Sequence, residues 1–483
     1  MAISSWKRNI RLGLVILGAG LICTYLYTRA MKNAPTVTVV KRNTEIINRL
    51  KVEENTVSVN VNISEGECRW IKPWFNRPVS SFERTQMIFF GKPFMQSLKN
   101  IATERHWGLG LILNDSTSGL SRLHNYLSVH DSFTIVITSS RFYKYFSLQN
   151  LSQSKNSLVS AVRYAFKITG GKKGQLVAFR EHFLKYGCSL DDLEVMPRSF
   201  LLDSTKECLQ FFKYADKNPD NWWVLKESSG YGGTGITIHS NLTKLYKDFS
   251  LCTNTKEYVV QKYLPSPLLL HKRKFDIRGL VLIASTQPYL LFHHNGYLRV
   301  SMKQFSPQGG KEAHITNSHL QVNAKNYSPD EHLWSFERFQ SYLDEYVPEN
   351  NDFVRSRLVP FIKKTALFIL QTGRGGVFQN SPSSYQLLGL DFMVTTDLRV
   401  WFIEANNYPL WPTGSKRIDH LMNAMGNAMF DLLFALRESP LQFVAMKPGS
   451  KYKSWELMWN EMDEKCSNVP LYNPCDLFIN PEN

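Results

Sequence analysis

The chain has 483 residues, 43% hydrophobic, 13% aromatic and 20% charged, the balance of a folded globular protein with core enough for two or three domains. No low-complexity tract or internal repeat runs through it, which excludes a repeat or low-complexity architecture. A formal net charge of +16 favours anionic partners, whether nucleic acid, a membrane surface or an acidic protein tail, without choosing among them.

Residues 12–28, LGLVILGAGLICTYLYT, carry no charge; Lys7, Arg8 and Arg11 precede them and Arg29 and Lys32 follow. The run sits near the short end of a spanning helix, about 17–25 residues. It is longer than a typical secretory h-region and no clear small-x-small cleavage site follows. A single-pass transmembrane anchor is therefore expected, with a secretory signal as the alternative. Positive charge on both flanks leaves its orientation open. Five N-x-S/T sequons, at Asn62, Asn114, Asn150, Asn241 and Asn326, leave the compartment open too. So do seven cysteines without CxxC or CxxH spacing: the six beyond Cys23 either pair in a lumen or stay reduced in the cytosol.

Residues 1–11 read as a short tail and 29–81 as a stalk or linker. The folded part is expected at 82–440, divided into an N-terminal part (82–220) and a core (221–440), with an aromatic-rich tail at 441–483. Residues 132–138 are a strand candidate. A Gly-Lys-rich turn at 170–174 precedes a predicted helix at 175–186, and a second helix is predicted at 205–216. Strands are then expected at 222–226, 236–239, 257–264, 275–286, 289–294 and 297–301. Amphipathic helices follow at 331–346 and 352–372, the second with a bend at Pro360. Strands at 387–395 and 398–405 form a hairpin, and 418–436 is a final helix. Sheets interrupted by helices imply α+β or α/β.

The hairpin carries the strongest chemistry. If its strands pair, Asp391 and Glu404 sit side by side with Asn406 two residues beyond. Two carboxylates and an amide oxygen are hard ligands suited to Mg²⁺; an exposed hairpin with its acids in water is the alternative. Glycines at 230–235 let main-chain N–H groups approach a phosphate, as a flap through Gly232, Gly233, Thr234 and Gly235, or else form an ordinary turn. No Gly-Lys-Ser/Thr opens a helix after them, so this is not a Walker loop. Lys226 ends the preceding strand within reach of the same phosphates. Period-2 alternation puts Lys274, Asp276 and Arg278 on one strand face, with Arg299 on a nearby strand. No aromatic-basic recognition motif accompanies the charge, so nucleic acid is not the expected partner.

In this order, the lysine strand, the glycine flap, VVQKYL, KFDIR, HITN and LGLDF…WFIEANNYP resemble the tubulin–tyrosine ligase-like family of ATP-grasp ligases, from about residue 170 to 436. The resemblance implies two sheet-containing subdomains clasping ATP. It implies an adenine-binding crossover at Gln261, Lys262, Tyr263 and Leu264, and phosphate-binding lysines at Lys226, Lys274 and Lys173. Mg²⁺ would be held by Asp391, Glu404 and Asn406. Asp276, Arg278, Arg299 and Thr316-Asn317 match its remaining functional positions; Lys274, Asp276, Arg278 and Arg299 would carry the catalysis. It implies ligation of a free amino acid to an acidic acceptor, tubulin C-terminal tails first. The catalytic domain would then face the cytoplasm. A non-tubulin, lumenal acceptor and a microtubule-binding pseudoenzyme are the alternatives. The departures are Gly233-Thr234-Gly235 where the family has Gly-Arg-Gly, Lys226-Glu227 where it has Lys-Pro, Leu410-Trp411 after the last motif, and the membrane segment. They bear on the substrate more than on the nucleotide.

Overall fold

The computed structural model describes residues 84–475, apart from 139–156, 375–382, 463–473 and several shorter stretches. The segment expected to cross a membrane, 12–28, and the stalk at 29–81 lie outside the described residues. Among the described residues no helix is long and apolar enough to cross a membrane.

The described chain opens on β1 (Gln86–Phe90), α1 (Gln96–Glu104), β2 (Gly108–Ile112), α2 (Thr117–Val129), β3 (Thr134–Ile137) and β4 (Ser157–Val159). The four strands form a parallel sheet in the order β2-β1-β3-β4. After α3 (Lys172–Lys185) comes a second sheet, antiparallel, in the order β5-β8-β6-β7. It is built from β5 (Ser199–Leu201), α4 (Thr205–Asp216), β6 (Trp223–Glu227), β7 (Ile236–His239), α5 (Thr243–Phe249) and β8 (Tyr258–Lys262). Residues 199–216, expected to precede the core, thus belong to it: β5 pairs with β8. In α4, Ser204 caps the start by accepting from the Glu207 N–H, and Cys208, Phe211, Phe212 and Ala215 fall on one buried stripe.

The third sheet is the largest. It comprises β9 (Leu269–Leu270), β10 (Arg273–Thr286), β11 (Tyr289–Gln304), β12 (Leu333–Ser335), β13 (Gln386–Val394), β14 (Val400–Asn406), β15 (Lys451–Tyr452) and β16 (Trp455–Asn460). Its order is β14-β13-β10-β11-β16-β15, with β9 beside β10 and β12 beside β11. The helices α6 (Phe336–Tyr346), α7 (Val359–Arg374) and α8 (Lys416–Glu438) complete the chain's long elements. In the second half of β10, Val281 and Ile283 pack in one core with Ile362, Phe368 and Ile369 of α7. Leu280, Leu282 and Ala284 pack in another with Met422, Met429 and Leu433 of α8. Helices on both faces explain why that strand reads as an unbroken apolar run.

Four expectations are corrected. The two strands expected at 289–294 and 297–301 are one continuous strand, β11, bent at Gly296, where a Cβ would lie 1.6 Å from the Arg278 carbonyl oxygen. The helix expected at 331–346 is cut: Leu333, Trp334 and Ser335 pair with β11, and Ser335 then caps α6 through the Arg338 N–H. The predicted bend at Pro360 takes the form of a π-helical turn, Val354–Leu358, just before it; proline lacks an N–H and its ring crowds the carbonyl four residues back. The tail expected after 440 is not one throughout: β16 joins β11, burying Trp455 and Leu457 on one face and Met458 and Trp459 on the other.

Candidate active site

The register of the large sheet aligns charges contributed by four strands. Asp276 on β10 lies opposite Arg299 on β11, Arg278 opposite Asp391 on β13, and Asp391 opposite Glu404 on β14. The expected pairing of the two carboxylates across the hairpin is what the structure shows. It depends on a bulge: Asp391 faces Glu404 but Phe392 faces Phe402, so Ile403 is extra. Phe402 thereby stays in the core while Glu404 comes round beside Asp391.

Hydrogen bonds knit the row together. Arg278 forks onto Asp391, with Nη2 3.1 Å from Oδ2 and Nε bonded to Oδ1. Arg299 forks onto Asp276 at 2.6 and 2.9 Å, and its Nη2 also donates to Asp391 Oδ2 at 3.0 Å. Thr316 Oγ1 donates to Asp276. Each fork leaves the arginine Nη1 without a partner among the described residues. Asn406 Nδ2 lies 3.2 Å from Asp391 Oδ2 and 3.5 Å from Glu404 Oε1. Burial alone would raise the Asp391 carboxyl, but Arg278 and Arg299 outweigh it and hold it below the usual range. The side chains of Asp391, Arg278 and Arg299 are 6% exposed, against 27% for Glu404. Such a closed set of buried charges persists only because each is paired.

Next to this row is a cleft lined by Lys172, Leu176, Met196, Lys226, Gln261 and Ile403. Lys226 Nζ donates to Gln261 Oε1 at 2.6 Å, and Gln261 in turn donates to Ser199 Oγ at 2.9 Å. Lys274 Nζ donates to Tyr263 OH at 3.1 Å, and Tyr263 OH lies 2.8 Å from His314 Nδ1. Burial pushes Lys226 down to about 8 and Lys274 to about 7, so both can titrate near neutrality. Buried lysines without a carboxylate in hydrogen-bond contact suit an arriving anion.

Other expected residues fall elsewhere. Lys173 turns from the cleft to Asp203 and to Glu257, 3.0 Å away. Its neighbour Lys172 takes the place: it donates to the Gly230 carbonyl at 2.7 Å and lies 3.8 Å from Glu404. Two adjacent lysines were visible in the sequence, but the phase of α3, set where it begins after Gly171, decides which one faces inward. In the crossover, the Lys262 and Tyr263 N–H groups are spent on Arg198 and Trp222 carbonyls. Buried Leu264 follows, with its N–H unpartnered among the described residues. Asn317 caps the turn Ser318–Gln321 through the His319 N–H. Gly232, Gly233 and Gly235 all have positive φ, and the flap lies against 315–320: a Cβ on Gly233 would meet Leu320 at 2.9 Å. Tyr297 was missed altogether; buried beside both arginines, it donates to the Leu410 carbonyl at 3.2 Å.

The donor set fits a hard divalent cation. Glu404 stays partly exposed, 3.8 Å from the cleft residue Lys172, Asp391 is an anion, and a half-turn of the Asn406 amide would present its oxygen. Among the described residues no group of three or more His, Cys, Asp and Glu could hold a metal, so the amide is needed to complete the set.

The family model of the Tubulin-tyrosine ligase family matches residues 145–439, more than half the chain. Tubulin glycylase 3A of Drosophila melanogaster is 32% identical over 225 residues, 45% of this chain and 22% of its own length. Protein polyglycylase TTLL10 of Macaca fascicularis is 26% identical over 293 residues, 55% of this chain and 46% of its own length. Inactive polyglycylase TTLL10 of Homo sapiens is 24% identical over 287 residues, 55% and 42%. The chain therefore spans less than half the length of each of these relatives.

Proposed function

This chain belongs to the tubulin-tyrosine ligase family, and on that premise we propose that it is an ATP-dependent carboxylate–amine ligase of ATP-grasp architecture, joining a free amino acid to an acidic protein. The observation that carries this reading is the register that lines up Arg299, Asp276, Arg278, Asp391 and Glu404 beside a lysine-lined cleft. An acceptor carboxylate takes the γ-phosphoryl group of ATP, giving an acyl phosphate and ADP. The amino acid's amine then attacks the acyl carbon, forms the amide and expels phosphate. Such transfer asks for positioning and charge neutralisation rather than covalent help. Lys226, Lys274 and Lys172 hold phosphates, and the Gln261–Leu264 crossover borders the purine. Asp391, Glu404 and Asn406 would hold Mg²⁺, which when bound neutralises phosphate charge. Arg278 and Arg299, already oriented by Asp391 and Asp276, offer their Nη1 groups to the acyl phosphate.

The relatives named as glycylases favour glycine as the amino acid and tubulin tails as the acceptor. A second acceptor, an acidic protein in an oxidising compartment, is favoured by the disulfides Cys188–Cys475 and Cys208–Cys252. The test supplies the full chain with ATP, Mg²⁺, glycine or glutamate, and glutamate-rich peptides. The expected result is a peptide heavier by one glycyl residue for each ADP formed. ADP without peptide gain would change the acceptor, and neither product would sink the ligase.

Arg299→Lys loses the planar fork to Asp276 and should cut ligation by about 1.5–3 kcal/mol while sparing nucleotide affinity. Equal losses in the peptide assay and in ATP titrations would place Arg299 at the nucleotide instead.

ATP affinity should also weaken as pH rises from about 7 to 9. The free Lys274 ammonium, lowered by burial against the pull of Asp276, loses its proton near pH 7. Lys226 repels it, and Tyr263 and His314 face it. Binding a phosphate then requires a proton taken from solution, at a cost of up to roughly tenfold in affinity per pH unit. Calorimetry in buffers of different ionisation enthalpy reads that uptake; none at pH 8 would remove Lys274 from the phosphate site.

A further inference from the structure

We propose that this domain is made for an oxidising, glycosylating compartment, with Asn241 as an N-glycan acceptor. The inference does not rest on the ligase reading; where both hold, the acceptor is the second one named above, an acidic protein in an oxidising compartment, rather than tubulin tails.

Two disulfides join cysteines from separate parts of the fold. Cys208 on α4 and Cys252 just past α5 are 44 residues apart and buried among Phe200, Phe211, Phe212 and Trp223. Cys252 takes a left-handed φ of 51°, which non-glycine residues seldom adopt; here it brings the end of α5 back to α4. Cys188, just past α3, bonds Cys475, 287 residues on, and ties the C-terminal region to the main core. Protein disulfides of this structural kind form and persist in oxidising compartments and are rare in the cytosol. Each forms as two thiols lose two protons and two electrons, the electrons passing to the disulfide of a thiol–disulfide oxidoreductase.

The same disulfide-bonded unit carries the sequon Asn241-Leu242-Thr243 in the turn from β7 to α5. Asn241 and Thr243 are exposed, while Leu242 packs on the buried cluster and fixes the turn. Asn241 Oδ1 accepts from the Thr243 N–H at 3.2 Å, and its Nδ2, the atom that bears a glycan, has no partner among the described residues. β7 is the outer strand of its sheet, so a glycan here would cover an edge otherwise open to another chain. Transfer forms the bond from Nδ2 to C1 of the sugar. The C1–oxygen bond of a polyprenyl-diphosphate-linked oligosaccharide breaks, and the amide gives up one proton.

The full chain, expressed in a eukaryotic cell with its own N-terminus, tests this by peptide mass. After amidase removal of N-glycans, the peptide holding Asn241 should read as aspartate, and the gel shift at that site should vanish in both Asn241→Gln and Thr243→Val. Non-reducing digests should give Cys208–Cys252 and Cys188–Cys475 as linked peptides. Linked peptides with an unmodified Asn241 overturn the glycan. Four cysteines alkylated without prior reduction, in protein that is folded by thermal melt, overturn the compartment.

Discussion

Glu404→Gln is expected to abolish ATP turnover, by more than ~100-fold, and to leave the protein as stable as before. Even outer-shell partners of a bound metal are typically worth 10–100-fold, and Glu404 is proposed as a direct ligand. Its side chain is 27% exposed, and among the described residues its side-chain partners are Lys172 at 3.8 Å and Asn406 at 3.5 Å. Losing so loose and solvent-screened a pair costs less than about 1 kcal/mol. The expected pattern is thus an unchanged melting curve with lost turnover and a lost Mg²⁺ dependence of nucleotide binding. A folded variant with ordinary turnover would remove Glu404 from the metal site.

Asp391→Asn should behave in the opposite way on stability. Asp391 receives bonds from both Arg278 and Arg299 in a buried setting, so the neutral amide leaves two guanidinium groups short of charge. Breaking a buried pair from one side costs about 3–5 kcal/mol. The variant should therefore unfold at clearly lower denaturant, besides losing turnover. The wild-type contribution has a definite pH sense. The folded carboxyl lies below its ordinary value, so its stabilisation is present above about pH 4 and fades as pH falls through the folded value. A urea midpoint for Asp391→Asn equal to wild type at pH 7 would show that the arginines do not depend on it.

The two variants differ because of where the bulge at Ile403 leaves the two acids. Both sit in one row, one buried against two arginines and the other partly exposed beside Lys172. Alternation put Asp391 and Glu404 side by side only on the condition that the two strands pair, and the register that does so carries an extra residue, Ile403. It could not say which would be exposed, because the extra residue that turns Glu404 outward has no mark of its own in the sequence.

The sequence by itself determined the elements whose residues repeat with a clear period: α4, β7, the charged face of β10 carrying Lys274, Asp276 and Arg278, and the hairpin β13–β14. It also determined the order of charged residues that the site uses, because alternation along a strand is a local property. Only the tertiary structure decided the rest. Lys172 rather than Lys173 reaches the cleft because the start of α3 after Gly171 is held by Ser228, whose carbonyl and hydroxyl accept from the Lys172 and Lys173 N–H groups. Residues 451–460 complete the large sheet because β11 has a free edge that only a distant segment fills, and no local pattern announces a partner some 160 residues away. The cysteine pairings likewise joined positions 44 and 287 residues apart, which spacing cannot select among. Local sequence sets the direction of each side chain; long-range packing decides which of them meet.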